Sequence, residues 1–217
     1  MNLTLYHYWR SSCSWRIRWA LFEKKIQHKL IPVDLVGGES QSDAHLARNP
    51  LGFVPALAIS GFDQNMPQKT QFLVESVAIF EWLEEEFTDS KSLLPGNSSN
   101  RAFIRQLAEV IASSTQPVQN LSVQNAHSDN PDEKKNWAKK FIARGLNAYE
   151  TLASKTAGQF SVGDEITWAD LCLLPQLYNA HRFGVELEPF PTIRRIENSA
   201  IKTEGYKASE PSQFEPK

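Results

Sequence analysis

The chain has 217 residues, 41% hydrophobic and 22% charged, enough for one large domain or two small ones with buried cores. A formal net charge of −2 gives no basic excess for nucleic acid or an anionic membrane surface. No stretch approaches the ~18 consecutive apolar residues of a membrane span. The chain opens directly on the strand-like run Leu3-Thr4-Leu5-Tyr6, so no signal peptide is expected. Its two cysteines, Cys13 and Cys172, are far apart in sequence, which fits a reduced, cytoplasmic setting better than a disulfide framework.

Residues 2–6 read as a strand. After it comes Arg10-Ser-Ser-Cys-Ser-Trp-Arg-Ile-Arg18, where hydroxyl residues suited to a helix N-cap precede an amphipathic run. Trp15, Trp19, Leu21 and Phe22 form the expected apolar stripe, and Arg16, Arg18, Glu23, Lys24 and Lys25 the charged side. Residues 27–33 read as a second strand, with Pro32 tolerable near an edge, and strand–helix–strand order predicts a parallel pair. A polar loop from Gly37 to Ser42 and a short helical piece over 43–48 lead to Asn49-Pro50. Val54-Pro55 then opens a strand running to Ile59, and the sequence around it fits either proline isomer. Residues 61–70 form a polar connection, 71–74 a partner strand, and Glu75-Ser76 opens a helix to Phe87 that buries Ile79, Phe80, Trp82, Leu83 and Phe87. The order β-α-β-α-β-β-α predicts a small α/β unit of the thioredoxin kind over residues 1–88.

Residues 89–100 carry the polar, Pro- and Gly-containing composition of a linker, and 101–217 read as an all-helical domain. Its first helix, from Arg101 to about Asn125, should kink or break at Pro117. A second starts at Asn130-Pro131 and runs to about Lys155. A third opens at Thr167-Trp-Ala-Asp170, a relative of the capping box, and runs through Leu177. A short one starts at Pro191, and the tail after Gly205 is expected to lie extended on the surface.

The five histidines, His7, His28, His45, His127 and His181, show no metal-ligand spacing. There is no Gly-rich phosphate loop, no G-x-S-x-G turn and no C-x-x-C pair, so a dithiol redox cycle within Ser11-Ser-Cys-Ser14 is excluded. What remains is a strand-to-helix turn of hydroxyls and one thiol, a Val-Pro strand start and a Glu-Ser helix start. Each alone reads as a capped helix or a turn. Their order, followed by an all-helical half, is far more specific.

These residues resemble the glutathione transferases, and within them the zeta class. Ser11-Ser-Cys-Ser-Trp-Arg16 carries most of the resemblance. Asn49-Pro50, Val54-Pro55, Glu75-Ser76, Gln116 to Val123, Val162 to Glu165, Thr167 to Cys172 and Asn179 to Phe183 support it. The resemblance implies a glutathione-binding α/β domain followed by a helical one. It also implies glutathione-dependent cis–trans isomerisation of maleylacetoacetate to fumarylacetoacetate in tyrosine and phenylalanine catabolism. Ser11, Ser12 and Cys13 would form the catalytic sulfur site, with the Ser11 hydroxyl donating to the glutathione thiolate. Val54 would pair its backbone with the cysteinyl part, with Pro55 cis. Glu75 and Ser76 would hold the γ-glutamyl end, and Gln116, Asn120, Leu121 and Ser122 would approach the tripeptide from the helical domain. Arg10 and Arg182 would take substrate carboxylates, a task suited to planar paired donors of fixed charge. A homodimer is the family expectation.

Two departures stand out. The family usually supplies a glutamine to glutathione from the loop after Gly37-Gly38, where this chain has Ser40 with Gln41 beside it. The 61–70 connection is longer than usual. A general glutathione transferase, a maleylpyruvate isomerase and a non-catalytic glutathione-binding protein are the competing readings.

Overall fold

The computed structural model describes residues 1–61 and 69–216. These divide into two compact units, Met1–Ser92 with Glu204–Lys217, and Leu93–Thr203. The core of the long 61–70 connection therefore lies outside the described residues.

The first unit is built on a four-stranded mixed sheet of β1 (Asn2–His7), β2 (Lys29–Pro32), β3 (Ala56–Ser60) and β4 (Thr70–Val74), ordered β2-β1-β3-β4. β1 pairs parallel with β2, from Thr4↔Lys29 to His7↔Pro32, as strand–helix–strand order predicted. It pairs antiparallel with β3, which pairs antiparallel with β4. Pro32 ends the edge strand β2, where a missing N–H costs no ladder bond. Leu3, Leu5 and His7 alternate into the buried side of β1, and the four apolar residues of β3 are all buried.

The helices of this unit are α1 (Ser12–Glu23), the short α2 (Asp43–Leu46) and α3 (Ser76–Glu86). α1 departs from its expected pattern. Arg16 and Arg18, read as solvent-facing charges, are 1% and 2% exposed, while Phe22 is 41% exposed. Helical spacing assigns a residue to a face but cannot say whether neighbouring polar atoms meet that face, and here they do. Lys24 at the C-cap is buried as well, donating to Glu84 Oε1 at 3.1 Å and to the Lys91 carbonyl at 3.0 Å.

The C-terminal tail, expected to run extended, instead forms α9 (Glu204–Ser209) and a 3-10 turn (Pro211–Gln213) packed in the first unit. Tyr206 meets Trp15 and Trp19 edge-on at centroid distances of 5.2 and 5.6 Å. Gly205 makes this approach possible, since a Cβ there would sit 2.5 Å from Trp19 Nε1. Aromatic burial against α1 outweighs the polar composition that suggested a surface tail.

The second unit is helical, with α4 (Ser98–Ala112), α5 (Leu121–His127), α6 (Pro131–Ala153), α7 (Trp168–Phe183) and α8 (Pro191–Ala200). α4 and α5 are separated near Pro117, where the helix was expected to break. α7 is the core, with Trp168 to Leu177 all buried, and it packs on α4 and α6. It runs past Leu177 and contains Pro175. Tertiary packing of the buried stretch from Trp168 to Leu177 outweighs the one backbone bond that proline removes. At its start the buried Asp170 carboxylate accepts from the Thr167 N–H (2.9 Å), the Thr167 hydroxyl (3.0 Å) and the Ser161 N–H (2.8 Å). Tyr149 donates to Ser161 Oγ at 2.7 Å and completes the cluster. Among the described residues no helix is long and apolar enough to cross a membrane.

Candidate functional site

The β1–α1 connection is closed by local hydrogen bonds. The Ser11 N–H donates to the Tyr8 carbonyl at 3.1 Å, and the Tyr8 N–H donates to Ser14 Oγ at 3.3 Å. Ser11 is the N-cap of α1, its hydroxyl accepting from the Ser14 N–H at 3.2 Å. Ser12, buried, and Cys13, a half-buried free thiol, follow in the first turn. The leading N–H groups of a helix lack intrahelical acceptors, and the helix dipole makes that end favourable for an anion. Ser11 itself is half-buried, so its hydroxyl cap is not sealed into the core. Arg10, also half-buried, lies over the Trp9 ring at 5.2 Å.

A second helix start belongs to the same unit. Glu75 is exposed and takes φ 67°, ψ 117°, a conformation L-residues rarely adopt. Such strain costs about 1–3 kcal/mol and persists where surrounding structure holds it. Ser76 next to it is buried, and its hydroxyl accepts from Arg16 Nη1 at 3.0 Å. The buried guanidinium thus ties α1 to the first turn of α3 and adds positive charge there.

The third element is the turn before β3. The Val54–Pro55 bond is cis, and both residues are buried. The sheet register of β3 begins at Ala56, which leaves the Val54 backbone outside the ladder. The preceding Phe53 carbonyl accepts from two side chains, His45 Nε2 and Asn49 Nδ2, each at 3.0 Å. A carbonyl only accepts, so His45 carries its proton on Nε2. Ser40 is buried, whereas Gln41 is exposed. The Gln41 amide lies against Gly52, where a Cβ would fall 2.3 Å from its nitrogen and where φ is +66°.

Arg10, Ser11, Ser12, Cys13, Val54, Pro55, Glu75 and Ser76 all lie in the first unit. Gln116, Asn120, Leu121, Ser122 and Arg182 lie in the second. Asn120 caps α5, accepting from the Leu121 N–H at 2.7 Å. Gln116 is half-exposed, and Leu121 and Ser122 are exposed. Arg182 is exposed near the end of α7, with Nη1 3.3 Å from Asn179 Oδ1.

The chain matches the family model of the glutathione S-transferase N-terminal domain over residues 10–86 and that of the C-terminal domain over 115–200. It is 42% identical over 210 residues to a probable maleylacetoacetate isomerase 2 of Drosophila melanogaster, covering 96% of this chain and 87% of that one. The crystal structure of maleylacetoacetate isomerase from Anaeromyxobacter dehalogenans, with glutathione bound in its active site, superposes with a TM-score of 0.87 at 44% identity, over 98% of this chain and 96% of that one. A bacterial maleylpyruvate isomerase described as a zeta-class glutathione S-transferase gives a TM-score of 0.86 at 32% identity, over 96% and 97% of the two chains. The chain belongs to the zeta class of the glutathione S-transferase family.

For this family member, sequence reasoning missed two buried cations and one imidazole. Arg16 reaches a helix start sixty residues away, Arg18 meets the carbonyls of the β1–α1 connection, and His45 holds the carbonyl before Val54. Only the run Trp15-Arg-Ile-Arg18 carried a signal: two arginines two positions apart fall on different sides of a helix, so they cannot both lie on one solvent-facing stripe.

Proposed function

We propose that this chain is a glutathione-dependent cis–trans isomerase that converts maleylacetoacetate to fumarylacetoacetate. The observation that carries the reading is the half-buried Ser11 hydroxyl at the N-terminus of α1, with Ser12 and Cys13 beside it, in the same compact unit as the Glu75-Ser76 helix start. The donor set suits a peptide thiol. The Val54 backbone outside the ladder offers strand-like pairing to a cysteinyl residue. Ser76, with Arg16 donating to its hydroxyl, offers a positive, hydrogen-bonding seat for an α-carboxylate. The exposed Glu75 carboxylate suits an amino group. Gln116, Asn120, Leu121 and Ser122 are assigned to the tripeptide from the helical unit. When bound, glutathione supplies the sulfur nucleophile whose reversible addition lets a cis double bond turn to trans.

The Ser11 hydroxyl donates a hydrogen bond to the sulfur, and the dipole of α1 adds to the stabilisation of negative charge there. Ser12 and Cys13 line the same helix start. Arg10 and Arg182 are assigned to the two carboxylates of a dicarboxylic substrate, which fixes the double bond in position and neutralises charge. The chain's own part is therefore to hold a thiolate, orient a diacid and favour the charge that develops during isomerisation. The working form is a homodimer in the cytoplasm, processing a small molecule, with sedimentation as the check on its mass.

The deciding experiment is conversion of maleylacetoacetate by the purified protein with and without glutathione. No cis–trans conversion in the presence of glutathione would sink the proposal. Likeness to the maleylpyruvate isomerase structure supports a second reading, a maleylpyruvate isomerase. A preference of kcat/KM for maleylpyruvate over maleylacetoacetate would establish it instead.

A further inference from the structure

We propose that Arg18 is a positioning residue for the sulfur site, fixing the β1–α1 connection that carries Arg10 and Ser11, and that the C-terminal segment is the strap that holds Arg18 in place. The inference rests on the glutathione-dependent reading of Ser11.

Arg18 is 2% exposed. Its Nη2 donates to the Trp9 carbonyl at 3.0 Å, and its Nη1 lies 3.3 Å from the Tyr8 carbonyl and 3.2 Å from His7 Nδ1. Its Nε donates to the Ser209 carbonyl at 3.1 Å, and the Phe214 ring lies 4.6 Å from its central carbon. Every one of these partners is neutral. A buried guanidinium without a carboxylate is expensive to keep, and replacing it with apolar volume would often stabilise a core. Burial lowers its pKa to about 9, so it remains a cation at neutral pH.

The placement of those partners explains what the cost obtains. Tyr8 and Trp9 are consecutive and stand immediately before Arg10 and Ser11. The Tyr8 carbonyl accepts from both Arg18 and the Ser11 N–H, so the peptide that Arg18 holds is the one that orients the sulfur-site serine. Rigid support of a catalytic group through a second layer of hydrogen bonds sets its geometry to within a fraction of an ångström. The strap contributes at separate points. The Ser209 carbonyl accepts from Arg18 and its hydroxyl oxygen from Trp15 Nε1 at 2.9 Å, and Phe214 covers Arg18 while standing edge-on to His7 at 5.6 Å. Tyr206 and Gly205 seat the segment on Trp15 and Trp19. Residues almost two hundred positions from the site in sequence thus bear on Ser11 through one side chain.

The test compares Arg18→Met, Arg18→Lys and Phe214→Ala with the wild type, reading glutathione affinity, the pKa of the bound thiol from its ultraviolet thiolate absorbance, and the melting temperature. Losing charge-assisted bonds to two carbonyls is expected to weaken glutathione binding roughly tenfold and to raise the bound thiol pKa by about one unit in Arg18→Met. Arg18→Lys should recover part of both, and Phe214→Ala should show a smaller shift in the same direction with a folded spectrum. If Arg18→Met does not fold, the other two variants decide by the same readings. Variants whose bound thiol titrates as in the wild type would overturn the role of Arg18 alone. A wild-type complex whose thiol titrates like free glutathione would overturn this proposal together with the reading of Ser11.

Discussion

Two helix starts in this protein use the same residue chemistry for opposite ends. Ser11 caps α1 half-buried, its hydroxyl accepting from the Ser14 N–H, with a free thiol two residues on. Thr167 caps α7 fully buried, with Asp170 saturated by three donors and Tyr149 closing the cluster. A cap that is sealed and satisfied has no bonding capacity left for a ligand, and its role is to fix the fold. A cap left at the surface, with helix N–H groups leading outward, can still receive an anion. The difference lies in burial and satisfaction rather than in residue type.

The contrast breaks most visibly through Asp170. Asp170→Ala leaves three buried donors without an acceptor and should cost about 3–5 kcal/mol, lowering the melting temperature by roughly 10 °C. Glutathione affinity of the protein that remains folded should be little changed. A calorimetric scan showing a loss below about 1 kcal/mol would mean that the α7 cap is not the structural one.

Acid should act on the two regions, β1 with α1 and the start of α7, with opposite sign. Burial, then Arg18, then His28 lower the His7 pKa from 6.5 to about 4. The unfolded chain therefore binds the proton first, so the stability due to neutral His7 is present above pH 6.5 and is lost as pH falls from 6.5 towards 4, up to about 3 kcal/mol. Burial instead raises the Asp170 pKa against the pull of its donors. That contribution is present at low pH and is lost as pH rises through the folded value, so acid does not weaken the α7 start through this group. Hydrogen exchange between pH 6.5 and 4 should show α1 and β1 losing protection ahead of α7, and His7→Asn should flatten the slope. Equal loss in both regions would remove the distinction.

Ser11→Ala sharpens the comparison from the other side. It should cost only about 1 kcal/mol of stability, as loss of a half-buried cap does, while reducing kcat/KM about a hundredfold. A stability loss matching that of Asp170→Ala would make Ser11 a structural cap. The smallest effect is expected at Arg182→Ala, roughly a tenfold fall in turnover of dicarboxylic substrates with glutathione binding unchanged. Equal losses in both would count against its assignment to substrate.

Much of this was legible in the chain. The order of strands and helices, the parallel β1–β2 pair, the break near Pro117 and the capped starts at Ser11, Asn130 and Thr167 follow from local periodicity and turn chemistry. Ser11, Val54 and Glu75 could be singled out because small hydroxyls, Val-Pro and Glu-Ser occur where an element begins. Arg16, Arg18 and His45 could not be placed, because each acts on a residue that the chain brings near only after folding. The tail misled for the same reason: its polar composition says nothing of the edge-on contacts that Tyr206 makes with Trp15 and Trp19.

The sequence by itself determined the strands, most of the helices and the hydroxyl cap that opens α1, since these depend on neighbours a few residues apart. Only the tertiary structure decided which charges are buried, that the C-terminal segment returns to α1, and that the Ser11 cap stays half-buried while the Thr167 cap is sealed. Those outcomes depend on which distant polar atoms meet each buried group, and a buried charge or hydroxyl is stable only where such partners have been brought to it.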